Sequence, residues 1–219
     1  MACVGIDLKG HVDAWRQAAL PWASAGEQER AARFHRHLDA VRHLVGRALA
    51  RALLARELGV ARLSGEFVGN PWGKPGLPDC GIEFSISHSG DAVWVALCRG
   101  VAVGIDVESR DAVADPHALA EVFHPSERAA LLALPAAEAQ DAFLRCWTRK
   151  EAVVKALGEG LSRPLASFCV ETGEVERNWL VEAPRGAAAS WTVADLPAAA
   201  GYRVSVAAPA PGLTITWHY

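Results

Sequence analysis

A chain of 219 residues can bury a real core, either as one domain or as two small lobes. Hydrophobic residues make up 51% and charged residues 21%, an ordinary globular balance that excludes a disordered or fibrous chain. A net charge of −3 supplies no global basic field, so nucleic acid is not an expected partner.

The five cysteines are scattered without metal-ligand spacing, which points to reduced thiols and a cytoplasmic protein. The first ten residues lack a signal-peptide pattern, and no apolar run is long enough to span a membrane.

Ala2 to Leu8 reads as a short apolar strand. Its Val4-Gly5-Ile6-Asp7 recurs as Val103-Gly104-Ile105-Asp106, 99 residues later. The repeat hints at an internal duplication. The copies differ next to the acid: Asp106 is followed two positions on by Glu108, Asp7 by Lys9. Only the second copy can set two carboxylates on one strand face.

Ala25 to Leu58 is helical in pattern, with Leu38, Val41, Val45, Leu49, Ala52 and Leu53 forming an apolar stripe that Gly59 terminates. The other side is basic. Seven arginines (Arg30, Arg33, Arg36, Arg42, Arg47, Arg51, Arg56) face a single intervening acid, Asp39. A charged helix face is usually just solvated. This concentration on an acidic chain tilts the reading modestly towards an anion site.

Gly69 to Pro78 is a turn-rich loop whose one charge is Lys74. A lysine on a rigid loop can donate to phosphate, although an exposed connecting lysine is the plainer reading. Ile82 to Gly90 alternates as a strand and ends in His88, flanked by Ser87 and Ser89. Ala92 to Cys98 is its partner, and Val101 to Val107 follows as a third strand of a meander.

Asp115 to Leu134 is again helical, with Ser126 capping Glu127 to Leu134 and Pro135 ending it. Glu127 reads as a first-turn dipole partner. The helix Phe143 to Leu157 follows, stopped by Gly158 and Gly160. Glu151 and Lys155 are four apart on one of its faces. If that face meets the end of the Asp106 strand, three carboxylates converge beside a lysine. Such hard oxygen ligands next to a cation suit Mg²⁺ that also binds phosphate oxygens. Strands are expected at 167–171, 190–193, 202–206 and 213–217, without evident chemistry.

Four segments in order carry a resemblance: Gly73-Lys74-Pro75, Phe84-Ser85-Ile86-Ser87-His88-Ser89-Gly90, Val103-Gly104-Ile105-Asp106-Val107-Glu108, and Trp147-Thr148-Arg149-Lys150-Glu151 with Lys155. The chain resembles the 4′-phosphopantetheinyl transferases of the surfactin-synthetase-activating type. The resemblance implies an α+β fold of two similar lobes related by a pseudo-twofold axis, each an antiparallel sheet packed on a long helix. Residues 1–100 form the first lobe and 101–219 the second, with the active site at their interface and a monomeric pseudo-dimer as the expected state.

The resemblance also implies the reaction. Coenzyme A gives 4′-phosphopantetheine to a serine of an apo acyl or peptidyl carrier protein, and adenosine 3′,5′-bisphosphate leaves. Asp106, Glu108 and Glu151 are the implied Mg²⁺ ligands. Glu151, Lys155 and His88 are the implied catalytic group, with Glu151 as a candidate general base. Lys74, Pro75, Ser87, His88, Arg30 and Lys155 are the implied coenzyme A contacts. The family holds the 3′-phosphate with basic residues ahead of the first long helix. Arg30 falls at one such place, but Glu27 stands at a neighbouring one, leaving Arg33 or Arg36 as substitutes. Two other classes are open to the same residues: a binding module that holds coenzyme A or a carrier without transfer, and a metal-dependent phosphohydrolase.

Overall fold

The computed structural model of the chain describes residues 1–112, 120–188 and 190–219. The first half runs β1 (Ala2–Asp7), α1 (Val12–Ala19), α2 (Ala25–Ala31), α3 (His37–Leu58), a small β2 (Val68–Gly69) and β3 (Pro75–Gly76) pair, then β4 (Ile82–Ser89) and β5 (Ala92–Arg99). The second half runs β6 (Gly104–Ser109), α4 (Pro125–Leu132), α5 (Ala136–Leu157), a β7 (Cys169–Val170) and β8 (Leu180–Glu182) pair, then β9 (Thr192–Asp195), β10 (Tyr202–Ala208) and β11 (Thr216–His218). This is an α+β fold with two main sheets, ordered β11-β1-β5-β4 and β6-β10-β9.

The two halves repeat one plan. In each, the first strand pairs antiparallel with the second strand of a later hairpin: β1 with β5, and β6 with β10. In each, a 22-residue helix lies between them in sequence. The two helices stop at left-handed glycines, Gly59 (φ 70°) and Gly158 (φ 71°), where a residue without Cβ meets no steric penalty. These helices begin, and end, 99 residues apart, the same offset as the Val-Gly-Ile-Asp repeat.

Alternation along the strands builds the layers. On β5, Ala92, Trp94, Ala96 and Cys98 join Ile105, Val107, Val204 and Val206 in a core between the sheets. Val95 and Leu97 face the other way, against Ala50, Leu54 and Ala55 of α3. The strand is therefore buried on both faces apart from Arg99. The second long helix packs its Ala152, Val153 and Ala156 into a core with Val193 and Ala207.

Several expectations need correction. Residues 104–109 do not extend a β4-β5 meander: β1 already occupies the free edge of β5 along six register positions, so the strand starts a second sheet with β10. The helix over 25–58 breaks at 32–36, where Phe34 turns its ring to 5.4 Å from that of His43. A short helix at 12–19 precedes it. Of the expected 115–134 helix, residues 113–119 lie outside the described residues and 125–132 are helical. Its cap is His124 rather than Ser126. The last strand pairs parallel with β1, so one parallel pair enters an otherwise antiparallel sheet.

Gly104 fixes how closely α5 approaches β6. A Cβ built there would sit 2.0 Å from the Ala152 carbonyl oxygen and 2.4 Å from the Ala156 amide nitrogen. Both are helix backbone, which cannot swing aside. Gly104→Ala is expected to cost ~3 kcal/mol, read as a lowered urea midpoint. An unchanged midpoint would contradict this packing.

Candidate active site

The second long helix is anchored before it presents anything to solvent. Arg149 is wholly buried and donates to Asp195 Oδ2 at 2.6 Å and to the Glu171 carbonyl. Lys150, equally buried, pairs with Glu127 Oε2 at 2.8 Å and donates to the carbonyls of Leu165 and Phe168. Glu127 therefore does more than cap α4: its other oxygen accepts the Val170 amide at 2.7 Å. Thr148 Oγ1 meets Ser205 Oγ at 2.9 Å. These contacts set the rotation of α5, and the next residues, Glu151 and Lys155, face a cleft.

That cleft, of about 370 Å³, is open to solvent and lies between the halves. From β6 come Asp106 and Glu108; from α5, Trp147, Glu151 and Lys155; from β4, Ile86, Ser87 and His88; from α3, His43 and Arg47; and Pro75 from β3. Asp106, only 3% exposed, accepts Lys155 Nζ at 2.6 Å and the Ser87 hydroxyl at 2.9 Å on one oxygen, Oδ1. Lys155 Nζ also donates to Ser87 Oγ at 2.8 Å. Glu108 accepts the Ser89 hydroxyl at 2.7 Å.

The acids crowd one another. Burial pushes the Asp106 carboxyl above its ordinary value, against the pull of Lys155. Burial and then the Asp106 charge push Glu108 up, and burial with Asp106 and Glu108 does the same to Glu151. Among the described residues, one ammonium thus faces three carboxylates, and Asp106 Oδ2 is buried with no hydrogen-bond partner. This donor set fits an added divalent cation. Among the described residues, no three or more acid, histidine or cysteine side chains stand, as they are placed, where they could hold a metal ion. Lys155 holds the Asp106 oxygen that faces Ser87.

The other end of the cleft is basic. His43 on α3 is 9% exposed, and its Nε2 has no hydrogen-bond partner among the described residues. Burial, then Arg47 and Arg30, push it down to about 4, so the ring is neutral near pH 7. Partial desolvation, followed by Arg42 and Lys155, also drives His88 towards neutrality. His88 keeps an exposed surface on the open cleft, which moderates that push.

The expected residues divide accordingly. Asp106, Glu108, Glu151, Lys155, His88, Ser87 and Pro75 share the cleft. Lys74 lines an adjoining cavity that shares Pro75, Ile86, Glu151 and Lys155 with the cleft; its Nζ donates to the Val103 carbonyl at 3.0 Å and lies 3.5 Å from that of Ala156, tying the loop to the second half. Arg30 is exposed outside the lining, close enough for its charge to act on His43. Glu27 is turned away, buried against Arg51 Nε at 2.8 Å. His43 goes unnoticed in the sequence, while Arg47 is one of seven arginines and Trp147 one letter of the fourth segment, neither placed at the cleft. The four-residue spacing of His43 and Arg47 was the available signal.

Residues 102–207 match the model of the 4′-phosphopantetheinyl transferase superfamily, and residues 12–99 match that of the 4′-phosphopantetheinyl transferase N-terminal region. The 4′-phosphopantetheinyl transferase ffp of Bacillus subtilis is 32% identical over 157 residues, covering 71% of this chain and 69% of that protein. The transferase Sfp of Bacillus subtilis strain 168 is 34% identical over 154 residues, covering 69% and 67%. HetI of Nostoc sp. is 35% identical over 145 residues, covering 64% and 61%. The chain belongs to the 4′-phosphopantetheinyl transferases of the Sfp type and is an enzyme of the transferase class.

Removing the Lys155 charge leaves buried Asp106 without its ion pair. Because Lys155 is 29% exposed, solvent screens part of the loss. Lys155→Met is expected to cost ~1–2 kcal/mol in urea denaturation, with much of that recovered in Lys155→Met/Asp106→Asn. Equal stability of Lys155→Met and wild type would contradict the pairing.

Proposed function

We propose that this cleft moves 4′-phosphopantetheine from coenzyme A to a serine of an apo acyl or peptidyl carrier protein, in a Mg²⁺-dependent reaction that releases adenosine 3′,5′-bisphosphate. The observation that carries the reading is the two-ended cleft: three crowded carboxylates with one lysine at one end, His43 and Arg47 at the other. Coenzyme A has the matching form, a pyrophosphate at its centre and a separate phosphate on the ribose. Family membership supports the reaction class.

Asp106, Glu108 and Glu151 would hold the metal. Mg²⁺ bound there would neutralise charge developing on the pyrophosphate as the leaving phosphate departs. Lys155 offers a compact ammonium to the same oxygens. Glu151 has a raised carboxyl affinity for protons, in keeping with a general base for the carrier serine. Arg47 and His43, with Arg30 nearby, take the 3′-phosphate in place of the basic residue that Glu27 displaces. Ser87 and His88 line the path between the ends, Pro75 forms part of the wall, and Lys74 holds the loop beside it. We take residues 1–100 and 101–219 as the two lobes of a cytoplasmic monomer. No helix among the described residues is long and apolar enough to cross a membrane.

Intact-mass measurement of an apo carrier protein tests the reading. Incubation with this protein, coenzyme A and Mg²⁺ is expected to add one phosphopantetheine, and Asp106→Asn or Glu108→Gln is expected to abolish the gain at limiting Mg²⁺. A carrier complex without mass gain would mean a binding module, and phosphate release without carrier a hydrolase.

The basic end carries a second prediction. A phosphate dianion beside His43 raises its proton affinity from the depressed free value, so coenzyme A binding at about pH 6 takes up a proton. Calorimetry in buffers of different ionisation enthalpy reads this directly, and His43→Gln removes it. A buffer-independent enthalpy for wild type would contradict the placement.

A further inference from the structure

The seam between the two sheets is made by side chains. Strand β4 is the edge of the first sheet and β6 the edge of the second. They run side by side in the same direction, and three serines of β4 take the place of backbone acceptors. Ser85 Oγ accepts the Ile105 amide at 3.2 Å, Ser87 Oγ the Val107 amide at 3.2 Å, and Ser89 Oγ the Ser109 amide at 3.1 Å. All three serines are buried. Opposite them on β5 stand Ala96, Trp94 and Ala92, which place the hydroxyls on the inter-sheet face.

A hydroxyl that accepts one bond still has a proton to give. At two of the three rungs that proton goes to a carboxylate from the preceding β6 residue. Ser87 donates to Asp106 and Ser89 to Glu108 at 2.7 Å. At the first rung the preceding residue is Gly104, so Ser85 closes the seam without meeting an acid. Asp106 has Lys155 as a further partner. Among the described residues Glu108 forms no ion pair, Lys155 acting on it only through space, and its direction depends on Ser89, with the Trp147 side chain close beside it.

We propose that Ser89 is a positioning residue for Glu108, its hydroxyl held by the Ser109 amide on the seam so that its own proton aims the carboxylate into the cleft. Ser89 touches neither substrate nor metal in this account, and the inference rests on the reading of Glu108 as a cation-holding group. The arrangement makes the junction between lobes and the aim of the acid a single structure. A hydroxyl is required because only it can accept from the amide and donate to the acid at once; alanine does neither.

A double-mutant cycle between Ser89→Ala and Glu108→Gln tests this, read on Mn²⁺ affinity by water-proton relaxation and on kcat for carrier modification. A hydrogen bond to a charged group corresponds to about tenfold or more in affinity. Ser89→Ala is expected to weaken Mn²⁺ binding about tenfold in the wild-type background and less than twofold on Glu108→Gln. Ser85→Ala, which removes a rung with no acid on it, is expected to lower the melting temperature and leave Mn²⁺ affinity unchanged. Full additivity of Ser89→Ala with Glu108→Gln, or a Ser85→Ala loss equal to that of Ser89→Ala, would overturn the proposal in favour of a purely structural seam. Should Ser89→Ala not fold, Ser89→Cys, of similar size and a weaker donor, runs the same cycle with an expected loss of about threefold. If wild type binds no Mn²⁺ but modifies the carrier, the metal reading has failed and the cycle is judged on kcat. If it binds Mn²⁺ without modifying the carrier, the transfer reading has failed and affinity decides.

Discussion

Three carboxylates share one cleft with one ammonium, and much of the fold serves to keep them there. Asp106 is nearly inaccessible, with one oxygen on Lys155 and Ser87 and the other without a partner among the described residues. Such a charge would ordinarily be lost by protonation or expelled to water. It is retained because β6 is locked on both sides. On one edge β10 pairs with it along six positions, and on the other the β4 serines take its amides. Below it, Gly104 lets α5 come close enough for Lys155 to reach.

The helix must also hold its rotation. Thr148, Arg149 and Lys150 are buried, and each is matched: to Ser205, Asp195 and Glu127. The polar run that ends in Glu151 is thus mostly scaffold. Its buried ion pairs contribute little net stability against an apolar replacement, yet losing one partner leaves an uncompensated charge. Their service is orientation, so that the next residue, Glu151, meets the cleft.

Strand and helix periodicity made the acidic end legible. Two acids two apart on an apolar strand, and an acid and lysine four apart on a helix, are face assignments that sequence alone supplies. The four segments in order then carried the family resemblance. The basic end was blurred because seven arginines along residues 30–56 read alike. Which of them turn inward depends on partners distant in sequence: Arg51 goes to Glu27 and Gly65, Arg42 to Asp39 and Gly90, and Arg47 is left on the cleft. The tail appeared chemically silent for the same reason. Asp195 and Ser205 matter only through α5, far away in the chain. The meander failed because local adjacency of β5 and β6 was outcompeted by β1, which no window around residue 100 contains.

The proposed function requires both ends of the cleft to hold one ligand. Calorimetric titration of coenzyme A against its 3′-dephospho form, on wild type and on Arg47→Ala, tests it most directly. Charge-assisted contacts to the 3′-phosphate predict at least about tenfold weaker binding of the dephospho form by wild type, with most of that difference gone in Arg47→Ala. Equal affinities in wild type, or an Arg47→Ala loss shared equally by both ligands, would contradict it.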